Sequence, residues 1–277
     1  MSLLEEQDEA IVHLAITRGL TPNVPLKPSG VEWLGDVPSH WEVVPLKRLA
    51  WFKGGTGFPV SYQGELGLDI PFLKVSDMTA PGNEIRIESQ SNTVSHETAA
   101  ALGAYIFPEG TIIFPKVGGA MLTNKRRILR RPSCIDNNVM GCVAVGKVQY
   151  LFLLLQELDL GKISKPGPVP AISEGEVREI RVAIPPEWEQ DQILETAAAG
   201  TAELKKAIAT ANREIALIQE YRTRLIVDVV TGKLDVRNVA ASLPESIKEP
   251  DGAASADETE INEEALDEEV EPVEAAA

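Results

Sequence analysis

The sequence is poor in the residues that build metal sites, disulfide frameworks and membrane spans. Of its 277 residues, only two are cysteines, three are histidines and 5% are aromatic. Two cysteines are too few for a disulfide framework, and the scattered histidines lack the spacing of metal ligands. No apolar run reaches the ~18 residues of a transmembrane helix, and the acidic N-terminus has no apolar signal-peptide core. We therefore expect a cytoplasmic protein without a metal site or membrane contact.

The acidic residues are concentrated at one end of the chain. The net charge at pH 7 is −16, from 26 Lys and Arg against 42 Asp and Glu. Residues 244–277 carry 13 acidic residues and one basic residue, which leaves a charge of −4 on the other 243 residues. That near-neutral remainder does not exclude a nucleic-acid partner, for which basic clustering is the better test. Residues 236–277 are predicted to form a disordered acidic tail, because they have too little apolar surface to offset chain entropy.

The pattern of apolar residues predicts an α+β fold in three parts ahead of the tail. Residues 1–30 are predicted to form a short helix and a turn. Residues 31–186 indicate a mixed, strand-rich domain, because short β-branched and aromatic runs alternate with Gly, Pro and Asn. These runs are Ile70–Val75, Tyr105–Phe107, Thr111–Phe114 and Cys142–Val145. Short helices are predicted after Ser95, over Tyr150–Leu158 and ahead of a strand at Ile180–Ile184.

Residues 187–235 are predicted to form one long, coiled-coil-forming helix. Pro185-Pro186 precede it, acidic residues fill its first turn and Gly232 ends it. About 42 residues at 1.5 Å each make a rod of roughly 60 Å. Small and apolar residues recur at near-heptad spacing, so the stripe needs a helical partner, either within the chain or, preferably, on another chain. The predicted dimer or partner interface comprises Ile193, Leu204, Ile208, Ile215, Ile218, Tyr221, Arg222 and Leu225.

A basic segment and two glycine-rich turns are candidate contacts for DNA. The segment from Ile112 to Arg131 holds Lys116, Lys125, Arg126, Arg127, Arg130 and Arg131 and no acidic residue. Such a cluster attracts phosphates, and Arg can read guanine edges; an ordinary solvated hairpin is the alternative. The turns at Lys53-Gly54-Gly55-Thr56 and Gly118-Gly119 allow backbone amides to approach a phosphate, or simply connect strands. Asn137 and Asn138 have the side chain that reads adenine, or cap a turn.

The sequence contains no constellation that predicts catalysis. Its one Pro-Pro pair, Pro185-Pro186, follows Ile184 and precedes Glu187. It therefore lacks the Asn/Asp-Pro-Pro-aromatic loop with which adenine methyltransferases hold a flipped base. The three Gly-Lys pairs are followed by Val, Ile and Leu, so none forms a phosphate-binding loop. We expect a protein that binds and does not turn over a substrate.

Three ordered stretches resemble the specificity (S) subunits of type I restriction-modification enzymes. Residues 15–47 resemble the central conserved region of that family, residues 180–193 its junction between recognition domain and long helix, and residues 220–237 the end of that helix. Between them GGTGFP, DIPFLKVSDM, GTIIFPKVGG and IDNNVMGCVAV follow in the order expected of a target recognition domain. The resemblance spans roughly residues 5–240. It also implies that Lys74 and Ser76 lie near DNA.

The resemblance implies a DNA-recognition subunit that performs no chemistry. Recognition domains of S subunits bind one half of a bipartite site on double-stranded DNA, and the paired long helices dock modification (methyltransferase) subunits. Restriction subunits join the complex, and the partners bring S-adenosylmethionine, ATP and Mg²⁺. A complete S subunit has two recognition domains and two long helices, whereas this chain has one of each, so it resembles a half-size form that pairs with itself or with another half. The alternative is a helical interaction module that does not read DNA.

Overall fold

The computed structural model describes residue 10, residues 12–164 and residues 169–234, without the side chains of residues 201–205, 207–209, 211 and 212. The predicted acidic tail at 236–277 lies outside the described residues. The chain divides into two compact units, Met1–Asn212 and Arg213–Ala277, which we describe separately.

The first unit contains the strands and nearly all of the helices. Twelve strands are described: β1 Leu26–Pro28, β2 Asp36–Pro38, β3 Glu42–Pro45, β4 Ala50–Gly54, β5 Ile70–Leu73, β6 Arg86–Ile87, β7 Thr93–Val94, β8 Ile112–Pro115, β9 Arg127–Leu129, β10 Cys134–Ile135, β11 Val139–Ala144 and β12 Arg181–Ile184. The helices are α1 (residues 12–18), α2 His96–Ala101, α3 Gly119–Leu122, α4 Val148–Glu157, α5 Leu160–Ile163, α6 Glu174–Glu179 and α7 Glu187–Val230, the last of which extends into the second unit. This mixture confirms the predicted strand-rich α/β character of the domain.

The main sheet has five strands in the order β4-β11-β8-β9-β6. Its pairs are antiparallel except for β6 and β9, which run parallel. The inner strand β11, between β4 and β8, begins with four buried residues, because it is covered on both faces. Cys142 of β11 lies opposite Phe52 of β4 on one side and Ile112 of β8 on the other.

A second sheet of three strands, β10-β5-β7, continues from the end of β4. The Gly55 amide donates to the carbonyl of Val139 at 3.0 Å, and the Thr56 amide donates to the carbonyl of Ile135 at 3.0 Å. These two bonds bring the residues after β4 alongside the turn that joins β10 to β11. The remaining strands form the two-stranded sheets β1-β2 and β3-β12.

Three of the four predicted strand runs are confirmed and one is wrong. β5, β8 and β11 fall within or overlap the predicted runs. The run Tyr105–Phe107 is not a strand and forms a single bridge, between Phe107 and Ser133. The reason is packing: a Cβ placed on Gly141 would lie 2.3 Å from the Phe107 ring, so this ring covers the face of β11 at its glycine.

The short helices begin where their capping residues predict. The Ser95 hydroxyl accepts the Thr98 amide at the start of α2. Ser173 and Glu176 form a reciprocal capping box at the start of α6. Helix α4 covers most of the run Tyr150–Leu158 and buries five residues, as its apolar composition predicts.

The principal core joins the main sheet to α1, α4 and the first turns of α7. Ile16 of α1, Trp41 and Ile193 of α7 are all fully buried in it. The prediction that Ile193 belongs to a dimer interface is therefore wrong, because its side chain is used inside the domain. Two smaller cores lie beneath the main sheet and the three-stranded sheet.

A buried carboxylate fixes the first turn of α7 to the segment that precedes the domain. Glu189 is 2% exposed and accepts hydrogen bonds from Trp41 Nε1 at 2.9 Å and His40 Nε2 at 2.7 Å. A Cβ on Gly19 would lie 2.7 Å from Glu189 Oε1, so only glycine fits where the chain leaves α1. Gly19 also has φ +73, a conformation that glycine adopts without strain.

Both cysteines are buried as free thiols. Cys134 lies in β10 and Cys142 in β11, and neither forms a disulfide. Burial raises the pKa of Cys134 to about 11 and raises the pKa of Cys142 further. Both therefore stay protonated at neutral pH.

In the second unit, α7 exposes apolar side chains over its last turns. Ile215, Ile218 and Tyr221 are 47%, 65% and 68% exposed, whereas Leu225 is half-buried. The helix ends at Val230, followed by Gly232 with φ +73 and a bond from the Leu234 amide to the Asp228 carbonyl. This αL ending is the one that Gly232 predicts. Side chains of Leu204 and Ile208 lie outside the described set, and coiled-coil pairing remains a prediction.

Candidate nucleic-acid interface

Four loops that are far apart in the sequence meet at one edge of the first unit. They comprise residues 54–56, 74–76, 116–119 and 136–138, and we call this surface the strand-end edge. Each loop directly follows or precedes a strand: β4, β5 and β8 end here, β10 ends here, and β11 begins here. The edge gathers the predicted candidates Gly54, Gly55, Thr56, Lys74, Ser76, Lys116, Gly118, Gly119, Asn137 and Asn138, with Lys53 beside them.

Short contacts hold the loops of the edge together. The Lys116 amide donates to the Asn138 carbonyl at 2.9 Å, and the Asp136 amide donates to the Leu73 carbonyl at 2.9 Å. The Lys116 ammonium lies over Gly54, 3.0 Å from the position a Cβ would occupy there. The backbone therefore places Lys116, Gly54 and the 136–138 turn side by side.

Lys74 and Ser76 are positioned by a buried aspartate. The Asp77 carboxylate, 1% exposed, accepts the amides of Lys74 and Ser91, each at 2.7 Å. The Lys74 ammonium donates to Gln63 Oε1 at 2.8 Å, and Ser76 is exposed. Sequence reasoning missed Gln63, which carries no local signal for this role.

The turn between β10 and β11 presents two exposed amide side chains above a buried carboxyl group. Asn137 and Asn138 are exposed, while Asp136 is 6% exposed and accepts the Asn138 amide at 2.9 Å. Burial raises the pKa of Asp136, an effect that the Asn138 amide and the charge of Lys74 oppose. Asp136 shapes the turn and is also hydrogen-bonded to the Asn138 side chain, so Asn137 is the asparagine of the turn whose side chain Asp136 does not engage.

Two glycines of the edge, Gly55 and Gly118, have backbone amides that already donate to carbonyl groups of the protein. A Cβ on Gly55 would lie 2.1 Å from the Asp136 carbonyl oxygen, and the Gly55 amide already donates to Val139. The Gly118 amide likewise donates to Pro170 at 2.7 Å. The predicted cradle of free amides is therefore wrong at Gly55 and Gly118, because these donors are used within the protein.

Arg126 is a residue of the core and not a phosphate contact. It is 1% exposed, its guanidinium lies 5.0 Å from the Phe114 ring, and it donates to Asn124 Oδ1 and the Leu158 carbonyl. Burial lowers its pKa to about 10, so it stays charged at neutral pH. The assignment of Arg126 to DNA is corrected, because the guanidinium joins β9 to the end of α4.

The other basic residues of the segment separate into two groups. Lys125 and Arg127 are half-buried at the start of β9, and Arg127 donates to the Met78 carbonyl at 3.0 Å. Arg130 and Arg131 follow β9, which runs antiparallel to β8, so they leave the sheet opposite the end at which Lys116 leaves it. Arg130 also pairs with Glu88 at 2.7 Å. The predicted single basic patch is therefore wrong, since β9 divides it.

An exposed aromatic cluster, which the sequence did not single out, adjoins the edge. Trp51 and Tyr105 are each 42% exposed, and their ring centroids lie 5.2 Å apart. The buried Phe107 ring lies beneath both, and the Lys53 ammonium lies 5.7 Å from the Tyr105 centroid. The alternation of β4 could have indicated the exposure of Trp51, though not its pairing with Tyr105, because Phe52 points into the core and its neighbours point out.

Across residues 10, 12–164 and 169–234, no group of three or more His, Cys, Asp or Glu side chains is arranged to hold a metal ion. In the same part of the chain, no helix combines the length and the apolar character needed to cross a bilayer.

Comparison with protein families accounts for this arrangement. The family model of the type I restriction modification DNA specificity domain matches residues 38–211. This chain belongs to that family. The matched range contains the entire strand-end edge and the first turns of α7, so the edge lies within the specificity domain itself. No curated protein matches the chain.

A solved structure of a type I system shares the fold, and two further structures were matched with lower TM-scores. A chain from the work on complex assembly and conformational transition of the type I R-M system is 13% identical, with a TM-score of 0.59 over 82% of this chain and 53% of that one. The HsdS subunit of Thermoanaerobacter tengcongensis is 15% identical (TM-score 0.49; 74% and 46% covered), and the S subunit of M. genitalium is 13% identical (0.44; 81% and 53%). This specificity domain thus spans about half the length of the structures it matches.

Proposed function

We propose that this specificity domain recognises one half of a bipartite site on double-stranded DNA through the strand-end edge, without catalysing a reaction. The observation that carries the proposal is the convergence of four loops, within the family-matched range, on one cationic and amide-rich surface. Lys53, Lys74 and Lys116 supply positive charge there, and Asn137 and Asn138 supply paired donors and acceptors. These are the two kinds of group with which proteins hold phosphates and read adenine.

The charges of the edge favour binding in spite of the acidic composition of the whole chain. Among the described residues, neither Lys53 nor Lys116 has a carboxylate within ion-pair distance. The two carboxyl groups nearest to the loops, those of Asp77 and Asp136, are buried and accept backbone amides. Ammonium groups without a carboxylate partner, beside carboxyl groups that are buried and hydrogen-bonded, suit a polyanion whose counterions are released on binding.

The second part of the proposal concerns α7. Its exposed apolar residues Ile215, Ile218 and Tyr221 would pair with a second helix, either of another copy or of a different half subunit, and would dock methyltransferase (M) subunits. Restriction (R) subunits would join that complex. S-adenosylmethionine, ATP and Mg²⁺ would be bound by these partners and not by this chain.

The DNA part is tested by selecting sequences from a random duplex pool with the purified full chain and titrating the enriched duplex at several salt concentrations. Lys116→Gln should weaken binding and lower the salt slope by about one, since one phosphate contact is lost. Asn137→Ala should weaken binding of the selected duplex more than that of a scrambled one. Lys162→Gln is the matched control, because this lysine is 85% exposed on α5, is not one of the residues of the edge, and is already paired with Asp159 at 3.2 Å.

Two outcomes would refute the DNA part. A wild-type chain that enriches no sequence, alone or with M subunits, would favour the interaction module without DNA readout. A Lys116 variant that behaves like the Lys162 control would show that DNA binds elsewhere. Reversal of Lys125, Arg126 and Arg127 is not a clean test, because Arg126 is buried.

The helix part is tested by the mass of the chain in light scattering. Pairing predicts a species of about 60 kDa, twice the mass of one chain. Ile218→Asp should reduce it to the monomer, whereas Lys206→Gln, at an exposed polar position of the same helix, should not. A wild-type chain that stays monomeric and binds neither another half S subunit nor M subunits would contradict the scaffold role.

A further inference from the structure

We infer that Trp51, Tyr105 and Lys53 form a second DNA-contacting element. The strand-end edge holds one strand of the DNA by its phosphates, and the two aromatic side chains pack against sugar and base surfaces of that same DNA strand. The inference rests on the proposed function and adds a surface whose aromatic rings neither bind phosphates nor hydrogen-bond to base edges. The three residues are called the aromatic platform below.

The platform is built as a rigid, outward extension of the core. Phe107 is fully buried and lies against both exposed rings, with centroid distances of 6.4 Å to Trp51 and 4.9 Å to Tyr105. Trp51 and Tyr105 lie edge to face at 61°. Rings fixed in this way lose little conformational freedom when they bind a ligand. Trp51 and Tyr105 each remain 42% exposed on this firm base, so the platform offers two ring surfaces to a ligand.

The position of the platform selects DNA as that occupant. Trp51 precedes Gly54 by three residues of β4, which at about 3.3 Å per residue puts it roughly 10 Å behind the edge. Lys53 lies between them, on the same face of β4 as Trp51, and its ammonium is 5.7 Å from the Tyr105 centroid. The Lys116 ammonium lies where a Cβ on Gly54 would point, on the opposite face of β4, so the strand-end edge begins directly beyond the platform. An aromatic pair beside the Lys53 ammonium suits a backbone of alternating phosphates and flat bases.

In the described sheet, β4 has no strand on its outer side, and α6 packs against it. β4 is the outer strand of the main sheet, paired with β11 alone in the described sheet, so the platform is not covered by a further strand. Aromatic side chains that meet DNA from such an edge stack on a partly unstacked base step or pack on deoxyribose. Both modes use the faces of the rings and involve no charge. The contribution of the rings to affinity can therefore be measured separately from that of the lysines, which depends on salt.

The test compares two kinds of substitution in the full chain with the selected duplex. Trp51→Ala and Tyr105→Ala should each raise Kd about tenfold and leave the salt slope unchanged, because stacking releases no counterions. Lys53→Gln should lower the slope by about one. Trp188→Ala is the matched control, because Trp188 is 57% exposed at the start of α7, outside the platform. Circular dichroism melts identify any variant that is misfolded.

Tryptophan fluorescence provides a measurement that does not depend on removing a ring. In a background with both Trp33→Phe and Trp188→Phe, the selected duplex should quench emission and protect it from acrylamide, because Trp41 is buried and Trp51 is then the one exposed indole. A further Trp51→Phe substitution should abolish that change while largely preserving affinity, since phenylalanine retains a ring.

The outcomes separate this inference from the proposed function. If the wild type enriches no duplex, both fail. If Lys116→Gln weakens binding while Trp51→Ala and Tyr105→Ala bind like the wild type with no DNA-dependent quenching, the platform inference is overturned and the proposed function stands. If those two variants bind DNA normally but no longer retain M subunits, the platform is a protein contact and the inference is likewise overturned.

Discussion

The carboxylate of Glu189 should contribute measurably to the stability of the first unit, and Glu189→Ala tests this directly. The substitution removes the acceptor of the buried Trp41 Nε1–H and of the His40 ring. A hydrogen bond to a charged group is worth about 1.5–3 kcal/mol, and a buried donor left without a partner costs a similar amount. His40 adds less, because its side chain is 37% exposed and water replaces the lost bond.

These contributions together predict a loss of about 2–4 kcal/mol in the free energy of unfolding. For a unit of this size each 1 kcal/mol lowers Tm by about 2–4 °C, so the melting temperature should fall by about 4–16 °C. Trp41→Phe, which keeps an aromatic ring but lacks the N–H, should cost about 1–2 kcal/mol. Urea titration followed by circular dichroism measures both.

A double-mutant cycle provides the decisive comparison. Because Trp41 and Glu189 share one hydrogen bond, the double variant should be less destabilised than the sum of the single variants by about 1 kcal/mol. Glu187→Gln, at an exposed position in the same helical turn, is the control and should change stability by less than about 0.5 kcal/mol. Additive effects, or a loss below about 1 kcal/mol for Glu189→Ala, would refute the claim that this carboxylate anchors α7.

Three further predictions concern the interior of the specificity domain. Asp136→Asn should stabilise the protein at pH 7, because burial raises the pKa of Asp136 and the ionised wild-type carboxylate is therefore destabilising. The wild type becomes more stable relative to the variant as the pH falls and Asp136 is protonated in the folded state. The difference between the two pH–stability curves should vanish below the ordinary aspartate pKa. Gly55→Ala should destabilise by more than about 2 kcal/mol, since its Cβ meets a carbonyl oxygen at 2.1 Å, whereas Gly57→Ala, in open space, should be nearly neutral in the same melts. Arg126→Ala should lower the free energy of unfolding by about 2–4 kcal/mol through lost packing on Phe114, yet leave the salt slope of DNA binding unchanged. A reduced salt slope would show that Arg126 contacts DNA after all.

Elements with local signals were predictable, and contacts between distant segments were not. Ser95 and Ser173 cap the helices they precede, and α7 begins directly after Pro185-Pro186, because capping and proline geometry act within one turn. Tyr105–Phe107 has the composition of a strand, but packing over Gly141 decides its conformation. A sequence pattern carries no information about that neighbour.

The candidate site shows the same division. Residue type pointed to the lysines and asparagines of the strand-end edge, but only strand order brings residues 54, 74, 116 and 137 together. The sequence suggests that Arg126 is a surface cation, but in the fold the Leu158 carbonyl and the Phe114 ring enclose its guanidinium group. Tyr105 is separated from Trp51 by more than 50 residues, so their pairing had no signal in the sequence.

The burial of both cysteines makes the protein suitable for site-directed labelling. Cys134 and Cys142 are the only cysteines in the chain, and thiols that remain protonated inside a sheet react slowly with maleimides and methanethiosulfonates. A cysteine introduced at Asn137 or Ile218 would therefore carry a fluorophore, spin label or cross-linker at a single known position without removal of the native thiols. Distances between labelled partners could then be measured in the assembled complex.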